Sequence, residues 1–181
     1  ILVLGGTGIS GPFFVERALA RGHEVTLLNR GRSNAELFPD LERLIADRAE
    51  GLAPLAAEVA KGRSWDAVVD NSASIPRWVE ESAGLLKGAA KLYLYTSSIS
   101  AYADSSTPNA DETAPVGAIT PEAEAAVKTN RDITGENYGP LKARSEKEAE
   151  TWFPGITTVI RPTQWPSVIT HSPRKRRHSR M

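Results

Sequence analysis

The feature that most constrains this chain is a glycine-rich segment between an apolar run and a helix-forming run. Ile1–Leu4 is continuously apolar, Gly5–Gly11 reads G-G-T-G-I-S-G, and helical periodicity begins at Pro12. Glycines at such a junction allow a tight turn, let the backbone approach a pyrophosphate and let the helix pack close to the strand. The start of the helix also offers free N–H groups and a positive dipole end to phosphates. The segment predicts a dinucleotide site, with a tight turn that binds nothing as the alternative. The candidate phosphate-binding residues are Gly5, Thr7, Gly8, Ile9 and Gly11.

Strand-like and helix-like segments alternate along the rest of the chain. The strand-like runs are mostly continuous in hydrophobicity, which is typical of strands covered on both faces. Strict alternation predicts parallel βαβ units in a doubly wound sheet, which is an α/β Rossmann fold. The predicted strands are Ile1–Leu4, Glu24–Leu28, Leu41–Ala46, Ala67–Asp70, Lys91–Tyr95 and Thr157–Ile160, and the predicted helices are Pro12–Arg21, Leu52–Lys61, Arg77–Lys87, Pro121–Thr134 and Tyr138–Trp152.

The length of 181 residues predicts a single domain with one core. The pattern of strands and helices stops at Pro162, so we expect a dinucleotide-binding domain over residues 1–162 and an irregular basic tail over residues 163–181. Ala103–Thr120 follows neither periodicity and predicts a long loop after the fifth strand. Long loops in compact domains are usually functional, and a substrate would bind at this end of the sheet.

Charge and composition exclude several classes of protein. Five basic residues lie within Arg174–Arg180, which leaves 17 basic against 22 acidic side chains in the rest of the chain, a net charge of −5. A negative body disfavours nucleic acid as a partner. The absence of cysteine excludes disulfides and thiolate sites, and only three histidines disfavour a zinc centre. No apolar run approaches the ~20 residues of a membrane span, and no signal-peptide pattern is present, so we expect a cytoplasmic protein.

The end of the second predicted strand bears on the choice of cofactor. An acidic residue there binds the ribose of NAD, whereas an arginine accepts the 2′-phosphate of NADP. This chain reads V-T-L-L-N-R-G-R, with Asn29 at the strand end and Arg30 and Arg32 just beyond. The pattern favours NADP over NAD, and the alternative is that both arginines belong to a solvated loop.

Tyr138 and Lys142 lie four residues apart on a predicted helix, so both side chains emerge on one face. A phenol of pKa ~10 is a poor base at neutral pH, but a nearby ammonium lowers that pKa. Such a tyrosine can exchange a proton with a substrate hydroxyl or carbonyl while hydride moves to or from a nicotinamide. The alternative is a pair of surface side chains, because this spacing is common by chance.

The fifth predicted strand ends in small hydroxyl residues. The run L-Y-T-S-S-I-S-A-Y carries Thr96, Ser97, Ser98 and Ser100 to the carboxyl edge of the sheet. Ligands of open α/β sheets bind outside these strand ends, where a hydroxyl can hydrogen-bond the reacting oxygen. Capping of the strand end by small polar residues is the alternative.

The glycine-rich turn, the serine-rich strand end and the tyrosine–lysine pair together resemble the extended short-chain dehydrogenase/reductase family, in its NAD-dependent epimerase/dehydratase group, over Ile1–Pro162. The resemblance implies an enzyme that uses NAD or NADP to act on a carbonyl or hydroxyl of a small molecule, with nucleotide sugars among the candidates. Ser98 lies four residues before Tyr102, as in the S-x-x-x-Y pattern of the family. The implied catalytic residues are Ser98, Tyr138 and Lys142.

The same resemblance implies further cofactor contacts. Asp47 and Arg48 would border the adenine after the third strand, and Asn71, Ser72 and Ala73 would pass the ribose after the fourth. Tyr138 and Lys142 would contact the cofactor as well, and Arg161-Pro162 would end the sixth strand. A homodimer formed by pairing long helices is a family expectation.

The chain departs from the family pattern in two places. Ser10 stands where the family more often has an aliphatic residue, which predicts slightly weaker packing with the phosphate site intact. Family members also carry a Gly-Pro motif and then a substrate-binding lobe after the Arg-Pro pair, whereas this sequence continues T-Q-W-P-S-V-I-T. We therefore expect the lobe to be largely absent, and we interpret the end as truncated or frame-shifted.

Two alternatives to an enzyme stay open at this stage. The runs L-L-N-R-G-R and D-N-S resemble a branch related to chloroplast stem-loop-binding proteins, so a non-catalytic nucleotide- or RNA-binding module is one alternative. The second alternative is an incomplete gene product.

Overall fold

Six strands form one parallel sheet in the computed structural model, which describes residues 1–8, 10–104, 106 and 111–162. The predicted strands are confirmed, with ends that differ by no more than two residues. Ile9 and the predicted tail over residues 163–181 lie outside the described residues. The strands are β1 (Leu2–Leu4), β2 (Thr26–Asn29), β3 (Arg43–Ile45), β4 (Val68–Asp70), β5 (Tyr93–Thr96) and β6 (Thr157–Ile160).

The order of the strands across the sheet is β3-β2-β1-β4-β5-β6. The chain therefore winds outward from β1 to β3, crosses back to β4 beside β1, and winds outward again to β6. Leu4 at the end of β1 pairs with Leu28 on one side and Asp70 on the other, so the carboxyl ends of the central strands are level. This is the predicted doubly wound sheet, and its winding direction changes between β1 and β4, where such sheets bind ligands.

Five α-helices connect the strands, and proline stands in the first turn of four of them. Proline fits there because its missing N–H would have no helical partner and its φ suits the helix. None of the described helices is long and apolar enough to cross a membrane. The helices are α1 (Gly11–Ala20), α2 (Ala53–Ala60), α3 (Pro76–Leu86), α4 (Pro121–Ala126) and α5 (Gly135–Trp152).

The predicted helix Pro121–Thr134 is wrong in length. The helix ends at Ala126, and a 3₁₀ turn follows at Asn130–Asp132. Thr129 caps that turn and Thr134 caps α5, each in a reciprocal capping box with the residue three positions on. Threonine side chains that bond to backbone N–H groups favour a new helix start over continuation. The same cap starts α5 at Gly135, three residues earlier than predicted.

The predicted loop Ala103–Thr120 contains no helix or strand in its described residues, which exclude residues 105 and 107–110. It turns back against the segment that follows β5. Tyr102 forms an antiparallel bridge with Val116, and the Gly117 N–H donates to the Ala101 carbonyl at 2.8 Å. The loop is thus anchored beside the carboxyl edge of the sheet.

Apolar side chains cover both faces of the sheet, as the continuous strands predict. Leu2 and Leu4 point to one face, where α3 and α5 pack against it, and Val3 points to the other face, beside Val15 of α1. These side chains are fully buried. The alternation within β1 follows the two-residue period of a strand, and α-helical layers on both sides exclude water from it.

Helix α5 lies in backbone contact with the 3₁₀ turn Ile99–Ala101 that follows β5. A Cβ at Gly139 would overlap the carbonyl oxygen of Ser100, so only glycine permits this approach. Gly135 in the first turn of the same helix has no heavy atom within 4 Å of its Cβ position. The contact at Gly139 sets the distance between the start of α5 and the serine-rich strand end.

We expect Gly139→Ala to lower the free energy of unfolding by about 3 kcal/mol, because the added methyl must push backbone apart. Gly135→Ala adds the same methyl to the same helix in open space, and we expect a change of at most about 1 kcal/mol, in the stabilising direction. Urea unfolding of the two variants measures the difference. Equal stabilities would contradict the close contact.

Candidate dinucleotide site

A cavity of about 170 Å³ lies at the carboxyl ends of the central strands, where the winding direction changes. The glycine-rich turn, the ends of β2, β3 and β4 and the start of α3 form its walls. Trp78 and Asn130 also line it, and no sequence signal pointed to either. The predicted cofactor residues that line the cavity are Gly5, Thr7, Gly8, Asn29, Arg30, Arg32, Asp47, Arg48 and Ser72.

The glycine-rich turn has the shape that its sequence predicts. Gly5 and Gly6 adopt φ values of +111° and +87°, which side chains rarely allow. Gly11 packs directly on Gly6, since a Cβ at Gly11 would lie 2.5 Å from the Gly6 carbonyl carbon. A Cβ at Gly8, in contrast, would meet nothing within 4 Å. The backbone at Gly8 therefore faces open space that a phosphate can fill.

Ser10 precedes α1 but does not cap it. Its hydroxyl hydrogen-bonds the Asn71 side chain, with Nδ2 donating to Oγ at 2.9 Å, and accepts no hydrogen bond from the first N–H groups of α1. These donors stay available for an anion at the positive end of the helix. The residues present thus fit a dinucleotide: an open glycine backbone, free helix N–H groups and a cavity beside them. Asn71, predicted to pass the ribose, binds the turn through Ser10.

Two asparagines fasten the β2–β3 loop onto the glycine-rich turn. Asn29 donates to the Gly5 carbonyl at 3.2 Å, and Asn34 donates to the Thr7 carbonyl at 2.8 Å. Asn34 has a φ of +45°, a conformation that asparagine tolerates better than most residues. We did not predict the role of Asn34; its place after the R-G-R-S run is the only signal that the sequence gives. The two bonds hold the arginines of the loop beside the cavity.

The two arginines of this loop differ in their surroundings. Arg30 lies 4.0 Å from the Asp47 carboxylate, while Arg32 has no carboxylate within ion-pair distance among the described residues. Both line the main cavity and a second one beside it, next to Asp47. The positive charge of Arg32 is therefore the less compensated of the two.

Arg48 lines the cavity as predicted, but its guanidinium is turned inward. It donates to the fully buried Asp70 carboxylate at 2.8 Å and to the Ser82 hydroxyl at 2.8 Å. Burial opposes the charge, but the pairing with Asp70 and the hydroxyl of Tyr93 outweighs it and raises the pKa of Arg48. Arg48 is thus half of a buried ion pair. Asp70, its partner, was not among the predicted site residues.

Lys142 is buried at the ends of β4 and β5. Its Nζ donates to the carbonyl oxygens of Ala73 at 2.8 Å and Thr96 at 2.7 Å, and it lies 4.5 Å from the centre of the Tyr95 ring. Burial lowers the pKa of Lys142 to about 8. The predicted residues Ala73 and Lys142 are thereby in direct contact, 69 positions apart in sequence.

Tyr138 and Ser98 lie on two elements that touch. Tyr138 is half-buried in the first turn of α5, one turn before Lys142, and the adjacent Gly139 contacts Ser100. The Ser98 hydroxyl accepts from the Ser100 N–H at 3.1 Å and so caps the 3₁₀ turn. The structure brings the predicted catalytic residues to one corner of the sheet edge.

A second buried network holds this corner, and the sequence did not reveal it. Ser97 donates to Glu146, one turn after the lysine on α5, and Arg161 donates to the same carboxylate from Nε at 2.9 Å and Nη2 at 2.5 Å. The Arg161 guanidinium also lies 4.6 Å from the centre of the Tyr102 ring. The network ties together β5, α5 and the end of β6.

A family model now adds to this geometry. The model of the NAD dependent epimerase/dehydratase family matches residues 1–125. The chain belongs to this family. No curated protein matches it significantly in sequence. The described part of this epimerase/dehydratase family member holds no group of three or more side chains arranged to bind a metal ion.

Solved structures share the fold of this family member at low sequence identity. The UDP-Glc/GlcNAc 4-epimerase of Campylobacter jejuni matches with a TM-score of 0.67 and 19% identity, over 88% of this chain and 52% of that one. The Bordetella bronchiseptica enzyme WbmG, in complex with NAD and UDP, gives 0.64 and 17%, over 88% and 51%. The dTDP-glucose 4,6-dehydratase of Bacillus anthracis, in complex with NAD, gives 0.62 and 17%, over 92% and 57%. The chain spans about half the length of these proteins.

We expect Gly8→Ala to fold like the wild type and to bind NADH and NADPH about tenfold more weakly, because the new methyl occupies the open space before the phosphate cradle. Fluorescence titration of the nicotinamide measures the affinity. Gly135→Ala is the matched control, since Gly135 does not line the cavity and the same methyl would meet no atom within 4 Å. Equal affinities of the two variants would contradict the proposed position of the pyrophosphate.

Proposed function

We propose that the chain is the dinucleotide-binding and catalytic part of an enzyme that oxidises, epimerises or dehydrates a nucleotide sugar. The observation that carries the proposal is the placement of Lys142, whose ammonium is held at the carboxyl ends of β4 and β5 on the same helix as Tyr138. The cavity formed by the glycine-rich turn lies along the same sheet edge. Family membership and the sugar-nucleotide enzymes that share the fold support this substrate class.

A bound nicotinamide dinucleotide supplies reversible hydride transfer. The glycine-rich turn and the start of α1 would hold its phosphates, and Arg30, Arg32 and Asp47 would surround its adenosine end. Ser72 lines the same cavity. These residues would contact the phosphates and the adenosine end of a dinucleotide.

Three side chains would take part in the chemistry at the substrate oxygen. Tyr138 would take a proton from a sugar hydroxyl, or return one to a carbonyl, and Ser98 would hydrogen-bond the same oxygen. The Lys142 ammonium would supply positive charge one turn away from Tyr138 on the same helix. Because the pKa of Lys142 is lowered to about 8, this charge would decline above that pH.

We further propose that NADP is preferred to NAD. Arg32 lines the cavity without a carboxylate partner among the described residues, whereas Arg30 is close to Asp47. A guanidinium in this position suits a 2′-phosphate, which NAD lacks. A homodimer and a cytoplasmic location remain predictions.

The cofactor proposal predicts that the chain binds NADPH more tightly than NADH. Arg32→Ala should weaken NADPH binding by about tenfold, the loss of one charge-assisted contact, and leave NADH binding unchanged. Arg17→Ala removes an equal charge from the exposed face of α1 and serves as control. Titration of NADH and NADPH against the wild type, Arg32→Ala and Arg17→Ala measures the affinities. Equal losses of affinity for NADH and NADPH in Arg32→Ala would contradict the assignment of Arg32 to the 2′-phosphate.

The catalytic proposal predicts slow turnover of UDP- or dTDP-sugars in the presence of the cofactor. Analysis of the products measures this turnover. Tyr138→Phe should reduce that turnover by about 10²- to 10⁴-fold, because it removes the proton-transfer group, while cofactor affinity should fall by no more than about tenfold, the loss of one hydrogen bond. Turnover that survives this substitution would contradict the role of Tyr138. Cofactor binding without turnover of any such sugar would favour the non-catalytic binding module.

A further inference from the structure

Asp70, the last residue of β4, is fully buried and makes four hydrogen bonds. Its Oδ2 accepts from Arg48 Nη2 at 2.8 Å and from the Tyr93 hydroxyl at 2.7 Å. Its Oδ1 accepts from the backbone N–H groups of Ser72 at 3.3 Å and Ala73 at 3.2 Å. One oxygen therefore faces the buried arginine and the other holds the turn that follows the strand.

Ala73 connects this carboxylate to the catalytic helix. Its N–H donates to Asp70, while its carbonyl accepts from Lys142 Nζ at 2.8 Å and from the Tyr95 hydroxyl at 3.0 Å. A shift of the turn would move the carbonyl on which the ammonium rests. One of the two carbonyls that hold Lys142 is therefore positioned by the bond between Asp70 and Ala73.

The charged groups around Lys142 also affect whether its ammonium keeps its proton. The groups that face it are Asp70 from β4, Glu146 from its own helix, Arg48 from the end of β3 and the Tyr95 ring from β5. Burial lowers the pKa of Lys142 to about 8, the carboxylates of Asp70 and Glu146 counteract that, and Arg48 adds to the lowering. A buried ammonium needs such compensation to stay charged.

We infer that Asp70 is a positioning residue for Lys142, which it holds in place through Ala73 and keeps charged through its carboxylate. The inference rests on the proposed function, because only there does Lys142 act on Tyr138. The Arg48–Asp70 ion pair would then act on Lys142 in addition to stabilising the fold. Arg48 partly neutralises the carboxylate, so the pair as a whole sets how much negative charge Lys142 experiences.

The experiment follows Lys142 by NMR, in cofactor-free protein that contains isotope-labelled lysine, as the pH is raised. The Lys142 signal is identified by its loss in Lys142→Met. Asp70→Asn keeps the size of the side chain and removes its charge, and we expect the pKa of Lys142 to fall by about one unit. Arg48→Met removes the positive charge that adds to the lowering at Lys142, and the pKa of Lys142 should rise by a similar amount.

Tyr93→Phe is the matched control. It removes a hydrogen bond from the other oxygen of the same carboxylate and leaves the charge and the bond to Ala73 in place, so the pKa of Lys142 should move by less than about 0.2 units. A merely structural role of Asp70 would give all three variants shifts of the same sign. That result, or an unchanged pKa in Asp70→Asn, would overturn the inference.

If Asp70→Asn fails to fold, Arg48→Met decides, since a raised pKa supports the inference and an unchanged one overturns it. Titration of the wild type with NADH and NADPH separates the two proposals. If the wild-type chain binds neither NADH nor NADPH, the proposed function is contradicted. In that case, opposite shifts in the pKa of Lys142 in Asp70→Asn and Arg48→Met would still support the link from Asp70 to Lys142. A chain that binds dinucleotide but shows no shift in Asp70→Asn overturns the inference alone.

Discussion

The buried pair of Arg48 and Asp70 holds the carboxyl edge of the sheet together. Moving two charges out of water is costly, and their attraction offsets the cost only where further hydrogen bonds satisfy the remaining donors and acceptors. Here the carboxylate is satisfied by Tyr93 and by two backbone N–H groups, and Ser82 accepts a second bond from Arg48 Nη2. Nε and Nη1 of the arginine are buried without a hydrogen-bond partner among the described residues, so the satisfaction is complete only on the side of the carboxylate. Removal of one partner from such a pair typically costs about 3–5 kcal/mol. The arrangement therefore fixes β3, β4, β5 and α3 relative to one another.

The corner that holds Ser98, Tyr138 and Lys142 is built onto this edge by a second set of contacts. Helix α5 reaches it through the glycine contact with the 3₁₀ turn and through Lys142, whose bonds end on the carbonyls after β4 and β5. Glu146, one turn further on, binds Ser97 and Arg161. Lys142 and Glu146 thus fasten the helix at successive turns, so Tyr138 lies in the first turn of an anchored helix rather than on a loop.

The sequence predicted the parts of this structure that depend on local pattern. Apolar runs predicted the strands, glycine spacing predicted the tight turn between β1 and α1, and the spacing of Tyr138 and Lys142 placed both on one helix. The length of α4 was misjudged, because helical periodicity in Pro121–Thr134 competes with capping by Thr129 and Thr134, and capping prevails. Asp70 escaped notice because its partners lie 22 and 23 positions away in either direction. Hydrophobic periodicity does not predict contacts between residues so far apart, and an aspartate at a strand end is also a common turn residue.

The two asparagine bonds between the β2–β3 loop and the glycine-rich turn have a consequence for the energetics of recognition. Loops that become ordered only when a ligand arrives weaken affinity by the entropy lost at that moment. Here Asn29 and Asn34 already secure both ends of the segment that carries the arginines, so its ordering is completed during folding. The part of the cavity beside the arginines is in this sense preorganised. The selectivity of that part would depend on side chains held by a fixed backbone, and exchange of an arginine there need not disturb the glycine-rich turn beside it.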